Sequence, residues 1–213
     1  MGERLVTGYG GFDVVSLLYK IKKEASEERK RDGNVFWVTD LVRCPLKREY
    51  EMIYPEISLS SIFSPSAIIG DLIHIGIEEV IRNKAGLGAV LTEVEGSKRV
   101  MLPDGREVEV RGRCDIILEI GGDRIGVEIK SARSDAKIPL EHHIDQVRLY
   151  NWLFNLRKSY LVYITHERIT QYPVEQKATD DEVVTRITSR SYPRYIWECR
   201  YCSYAVLCPY KKY

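Results

Sequence analysis

Apolar side chains recur at Ile68, Ile69, Leu72, Ile73, Ile77, Val80 and Ile81, a spacing that predicts a helix from Pro65 to Ala85. Beyond it the period drops to two. Val90 to Val100 and Glu107 to Ile120 read as strands separated by the turn Pro103-Asp104-Gly105, and a second β-branched run follows Gly121-Gly122. Around this centre, residues 12 to 31 combine Phe12, Val15, Leu18 and Tyr19 with a dense mixed-charge run, as a surface helix does. Val35 to Val38 is a short apolar segment, and Thr39-Asp40 gives an N-cap signal for a helix through Leu41, Val42 and Cys44. Pro139 to Leu156 reads as a helix with proline near its start, Tyr160 to Thr165 and Ile169 to Val174 as a strand pair, and Asp180 to Ser189 as a short helix. This order predicts an α/β fold, a mixed central sheet with helices packed on it.

The stretch from Gly112 to Lys130 organises the rest. A two-residue glycine loop at Gly121-Gly122 closes an antiparallel hairpin, so Ile120 faces Asp123, Glu119 faces Arg124, Ile117 faces Gly126 and Asp115 faces Glu128. Alternation then collects Ile116, Leu118, Ile120, Ile125, Val127 and Ile129 on a core face and Asp115, Glu128 and Lys130 on the other. Opposed Cβ atoms lie roughly 4.5 to 5.5 Å apart. Two carboxylates at that distance repel each other unless they share a divalent cation, and Mg²⁺ takes one or two carboxylates while leaving positions for water and phosphate oxygens. Lys130 points the same way and is placed to orient a water or hold a phosphate. A solvated hairpin face with mixed charges has the same spacing. His74 lies on the long helix, with Gly70 one turn before it and Gly76 two residues after. Small residues there cost helix stability unless something must approach closely. Gln146 and Tyr150 sit four apart on one face of the later helix, with His142 a turn earlier.

A chain of 213 residues, 44% hydrophobic, can build one large core. The absence of a long apolar run and of a leader pattern predicts a soluble, cytoplasmic protein with no membrane contact. Net charge is +1, so any nucleic-acid surface must be a local patch.

Five cysteines, an odd number, argue against a disulfide framework and for metal or redox chemistry. Cys199, Cys202 and Cys208 form a C-x₂-C-x₅-C set, and Cys44 is the natural fourth donor. Four thiolates satisfy an iron–sulfur cluster or tetrahedral zinc. Structural zinc more often uses paired C-x₂-C knuckles, so one broken pair plus a distant donor favours the cluster. Such a centre ties the N-terminal region to the C-terminus and contributes folding free energy. Cys114 is left over as a small apolar residue on the core side. Between Arg186 and Tyr213 basic residues outnumber acidic ones and alternate with Tyr192, Tyr195, Trp197, Tyr201, Tyr204, Tyr210 and Tyr213, a composition that suits single-stranded nucleic acid or packing around the cysteines.

Taken together, G70-D-L-I-H74, G112-R-C-D115, E128-I-K130 and Q146-V-R-L-Y150, with the split cysteine set, resemble the RecB-like branch of the PD-(D/E)-x-K nucleases. Within it, T39-D-L-V-R-C44-P and C199-x₂-C202-x₅-C208-P resemble the CRISPR-associated exonuclease family, over about residues 37 to 209. The resemblance implies a restriction-endonuclease-like core in which His74, Asp115 and Glu128 bind Mg²⁺ or Mn²⁺, Lys130 is the catalytic lysine, and Gln146 and Tyr150 complete the site. It further implies a 4Fe-4S or 2Fe-2S cluster on Cys44, Cys199, Cys202 and Cys208. The expected organisation is a single nuclease domain over 1–213, with an N-terminal helical extension (1–35), a cluster region (36–60 and 190–213) and a catalytic core (65–175). The implied activity is metal-dependent cutting of DNA, at single-stranded ends or overhangs and as an exonuclease with possible endonuclease action. The implied role is trimming new spacers for the CRISPR integrase, alone or as an oligomer. A free-standing repair nuclease and a non-cleaving iron–sulfur adaptor on DNA are the alternatives.

Overall fold

The computed structural model describes residues 13–27, 32–59, 64–84, 86 and 88–212. Of the expected extension, residues 1–12 and 28–31 lie outside the described residues, as do Ala85 and Tyr213.

The third strand, β3 (Glu107–Ile120), fixes the architecture. Along one edge β2 (Ala89–Met101) runs antiparallel, from Ala89 opposite Glu119 to Met101 opposite Glu107. Two strands share its other edge: β1 (Val35–Trp37), parallel over Glu109 to Arg111, and β4 (Asp123–Ser131), antiparallel over Ile116 to Ile120. On its far side β4 pairs in parallel with β5 (Lys158–Ile164), and β6 (Ile169–Val174) closes the row antiparallel. The sheet is mixed, as expected.

Helices cover both faces. On one, Ile73, Ile77 and Ile81 of α5 (Pro65–Lys84) pack against Ile116, Val127, Ile129, Val162 and Ile164. On the other, α6 (Glu141–Leu153) lies with α2 (Val38–Leu41) and α7 (Asp180–Thr188), bringing Leu149, Tyr150, Val38, Leu41 and Val183 against Val108, Val110 and Ile117. The remaining helices are α1 (Val14–Glu27), α3 (Pro45–Ile53), α4 (Pro55–Leu59) and α8 (Glu198–Tyr201). No helix among the described residues is long and apolar enough to cross a membrane.

The hairpin register is the one expected from the glycine loop, with Ile120 opposite Asp123, Glu119 opposite Arg124 and Ile117 opposite Gly126. Both loop glycines have positive φ, 60° and 84°, which a side chain would resist. The ladder stops at Ile116 opposite Val127, one rung before Asp115 and Glu128. From there β4 stays with β5 as far as Ser131, while the same edge of β3 resumes pairing only at Arg111, with β1. The strands part and leave a fork.

Several expectations are corrected. The hairpin does not have one apolar and one polar face: Ile117 is fully buried under α6 while Ile116 is fully buried under α5, because helices cover the sheet on both sides. Ile120, beside the turn, is 39% exposed. Alternation itself breaks at Asp115, since Cys114 and Ile117 share the α6-side cluster. Opposite, Val90 packs on the α5 side and Val94 on the α6 side, with Glu93 between them at φ 51°. The Thr39-Asp40 cap reading is also displaced: α2 starts at Val38, and Asp40 instead accepts from the Trp37 N–H at 3.0 Å. Cys44 precedes Pro45 at the start of α3, and α6 starts at Glu141, after Pro139.

Candidate active site

The fork collects the side chains that the sequence singles out. Asp115 points into the gap, where Oδ2 accepts from the Ile129 N–H at 2.7 Å and so satisfies a backbone donor that the parted ladder leaves open. The same oxygen lies 3.4 Å from His74 Nδ1, which arrives from α5. At Gly70 a Cβ would sit 3.3 Å from Ser131 Oγ at the end of β4, a tight contact between α5 and that strand. Gly76 has open space around it, so the expectation of a close approach holds only at Gly70.

Glu128 and Lys130 are in register with Leu161 and Tyr163 of β5, whose side chains pack on the α6 side. Glu128 Oε1 accepts from Lys130 Nζ at 2.7 Å and from Gln146 Nε2 at 2.8 Å, and Gln146 Nε2 also lies 3.0 Å from the Tyr150 hydroxyl. Asp115 is reached by α5 and Glu128 by α6, with Asp115 close enough for its charge to act on Glu128, while the donors that lie within 4.8 Å of one another among the described residues are those of His74, Glu78 and Asp115, without Glu128. Asp115 and Glu128 are buried to 8% and 2% exposure. Burial, then the charge of Asp115, push the Glu128 carboxyl up to about 7, against Lys130 and His74. For His74 burial works against the cation, but the hydrogen bond and charge of Asp115 outweigh it and raise its pKa. Burial and the two carboxylates hold the Cys114 thiol well above its usual range, so it is inert packing.

Sequence reasoning missed Glu78. It lies four residues after His74 on the same helix, and His74, Glu78 and Asp115 offer ligand atoms all within 4.8 Å of one another. The i, i+4 relation to His74 was the available signal. The donor set suits a hard divalent cation: imidazole and carboxylate oxygens converge, and buried Oε2 of Glu128 and Oε1 of Glu78 have no hydrogen-bond partner.

The four cysteines come together as well. Cys44, Cys199, Cys202 and Cys208 are free thiols and line one cavity of ≈ 260 Å³, which Gln146 also borders. Residues 43–54 and 194–204 are joined there by polar contacts. Glu198 accepts from the Cys44 N–H at 2.7 Å and the Tyr195 N–H at 2.9 Å, Arg194 Nε donates to the Arg43 carbonyl at 3.0 Å, and the Tyr204 hydroxyl donates to the Tyr54 carbonyl at 3.0 Å.

Along 204 residues the chain is 38% identical to the CRISPR-associated exonuclease Cas4 of Saccharolobus solfataricus, covering 93% of this chain and 98% of that protein. The chain belongs to the CRISPR-associated exonuclease Cas4 family. The crystal structure of SSO0001 superposes with a TM-score of 0.88 at 37% identity, over 95% of this chain and 99% of that one. No profile of a known protein family matches. Membership in the Cas4 family makes this a CRISPR-associated nuclease and agrees with the mixed sheet flanked by helices.

Proposed function

We propose that this protein is a divalent-cation-dependent DNA nuclease that trims single-stranded ends or overhangs during CRISPR adaptation. The observation that supports the reading is the fork, where Asp115 lies against His74 and Glu128, hydrogen-bonded to Lys130 and Gln146, feels the charge of Asp115. His74, Asp115 and Glu128 are the residues to hold Mg²⁺ or Mn²⁺, which when bound supplies a Lewis acid for the scissile phosphate and lowers the pKa of water. Lys130 keeps a fixed positive charge beside the carboxylates, where a phosphodiester would otherwise be repelled. Gln146 holds Glu128 in place, and the Tyr150 hydroxyl holds Gln146.

A single strand has aromatic surfaces to stack on beside the cysteine cavity, which Gln146 also borders. Trp197, 47% exposed, stacks on Tyr195 at 5.8 Å and 19° and meets the His142 ring at 4.7 Å, while Tyr201 and Tyr210 are also exposed. The four cysteines are proposed to hold an iron–sulfur cluster. The four thiols line one cavity of ≈ 260 Å³, and four thiolates are the donor set of such a cluster. The CRISPR integrase is the proposed partner, because a trimmed spacer is its substrate.

The test is cleavage of end-labelled single-stranded DNA in Mg²⁺ or Mn²⁺ by the wild-type protein, Asp115→Asn and Glu128→Gln. Each variant should lose activity by about 100-fold or more, as removal of a group that stabilises transition-state charge does. Undiminished cutting by both would overturn the assignment.

A further inference from the structure

We infer that Glu78 is a further cation-holding residue of this site, closing it from the α5 side together with His74 and Asp115. The inference rests on the metal-dependent reading of the fork and adds to it a donor outside the hairpin. Three observations carry it. First, the ligand atoms of His74, Glu78 and Asp115 all lie within 4.8 Å of one another, while bonds of about 2.1 Å to an octahedral ion place its donors roughly 3.0 Å apart when adjacent and roughly 4.2 Å when opposite. Small side-chain adjustments are enough to close the set on an ion.

Second, Glu78 is 5% exposed, and its buried Oε1 has no hydrogen-bond partner. A carboxylate in that position is costly unless it is paired, protonated or bound to a metal. Third, the neighbouring arginines pair with other acids, Arg113 with Glu93 at 2.7 Å and Arg82 with Glu79 at 3.0 Å, and among the charges that act on Glu78 the acids Glu93 and Asp115 come ahead of His74 and Arg82. On a helix whose Ile73, Ile77 and Ile81 fill the core, one turn separates His74 from Glu78 and sets both towards the opening.

The experiment is isothermal titration of the full chain with Mn²⁺, comparing the wild-type protein, Glu78→Gln and Asp115→Asn, with thermal unfolding in the absence of Mn²⁺ as the control for folding. Glu78→Gln should weaken Mn²⁺ binding about 10- to 100-fold, in the range found when groups supporting a metal site are removed. A Kd within twofold of wild type, with Asp115→Asn weakened, overturns the role of Glu78 and leaves the fork as the metal site. If Asp115→Asn also binds normally, the metal reading of the fork fails, and this inference with it. Should Glu78→Gln not fold, Glu78→Asp in the same titration keeps the charge but withdraws the oxygen, and wild-type affinity there overturns the inference equally.

Discussion

Gln146 donates from Nε2 to Glu128 Oε1 at 2.8 Å, spanning from α6 to β4 where that strand has left β3. The contact fixes the rotamer of the carboxylate and leaves its other oxygen, Oε2, without a partner. Gln146→Leu should therefore cut DNA cleavage about 10- to 100-fold, the range for losing a group that orients a metal-holding side chain. It should also cost about 1–3 kcal/mol in denaturant unfolding, because a buried acceptor loses a donor. Full activity with unchanged stability would show that Glu128 does not depend on Gln146.

The pH dependence of the metal-free protein follows from the carboxyls raised by burial. Glu128 and Glu78 are both pushed up to about 7, burial being the leading cause in each. A glutamate that titrates near 4.5 unfolded and near 7 folded makes the folded chain bind more protons from about pH 4.5 to about 8, so this contribution to stability falls as pH rises through that window, and the comparison of pH 6.5 with 8.5 reads its upper end. The raised His74 acts in the same direction. His142 and His143 are depressed, chiefly by burial, and their destabilising effect is confined to more acidic solution. Thermal melts in a chelating buffer should show a lower Tm at pH 8.5 than at pH 6.5, with the difference reduced in Glu128→Gln. A Tm that rises from pH 6.5 to pH 8.5 would contradict these assignments.

Gly112 is the point where α6 and α2 press on β3. A Cβ there would lie 2.6 Å from Leu153 Cδ2, 2.9 Å from Tyr150 Cε1 and 3.1 Å from Val38 Cγ2, three side chains held by the core. Gly112→Ala should destabilise by about 1–3 kcal/mol, the usual cost of overpacking, and should lower cleavage because Tyr150 supports Gln146. Chemical denaturation measures the first effect and the DNA assay the second. Gly76→Ala meets open space and should be neutral or slightly stabilising, since alanine favours a helix.

Cys44 lines the cavity shared with the three C-terminal cysteines, and its N–H donates to Glu198 at 2.7 Å. If the four thiols hold a cluster, Cys44→Ser should abolish the visible absorption of anaerobically purified protein and make residues 190–212 sensitive to protease, because bound cofactor contributes folding free energy. Retained colour and an unchanged digestion pattern would exclude Cys44 as a donor.

Local pattern was enough to determine much of this protein. Period-two hydrophobicity and the Gly121-Gly122 loop set the β3–β4 register, since two positive-φ residues leave little choice of turn. Helical spacing placed His74 on α5 and Gln146 with Tyr150 on α6. What alternation could not determine was where the ladder ends. Whether Asp115 and Glu128 face each other across a rung or flank a fork depends on β1 occupying the edge of β3 that β4 leaves, a contact between residues about 75 apart in the chain. The place of Glu78 was hidden for a related reason: a lone glutamate on an amphipathic helix is ordinary until the packing of α5 over the fork buries it beside His74 and Asp115. The same holds for the cysteines, whose spacing suggested a set of four, while only the tertiary contacts of Glu198, Arg194 and Tyr204 join residues 43–54 and 194–204 around one cavity. Sequence determined most of the elements and pointed to most of the candidate donors, because those depend on neighbours a few residues away. Tertiary structure decided which donors converge, because burial and the parting of strands depend on segments distant in the chain.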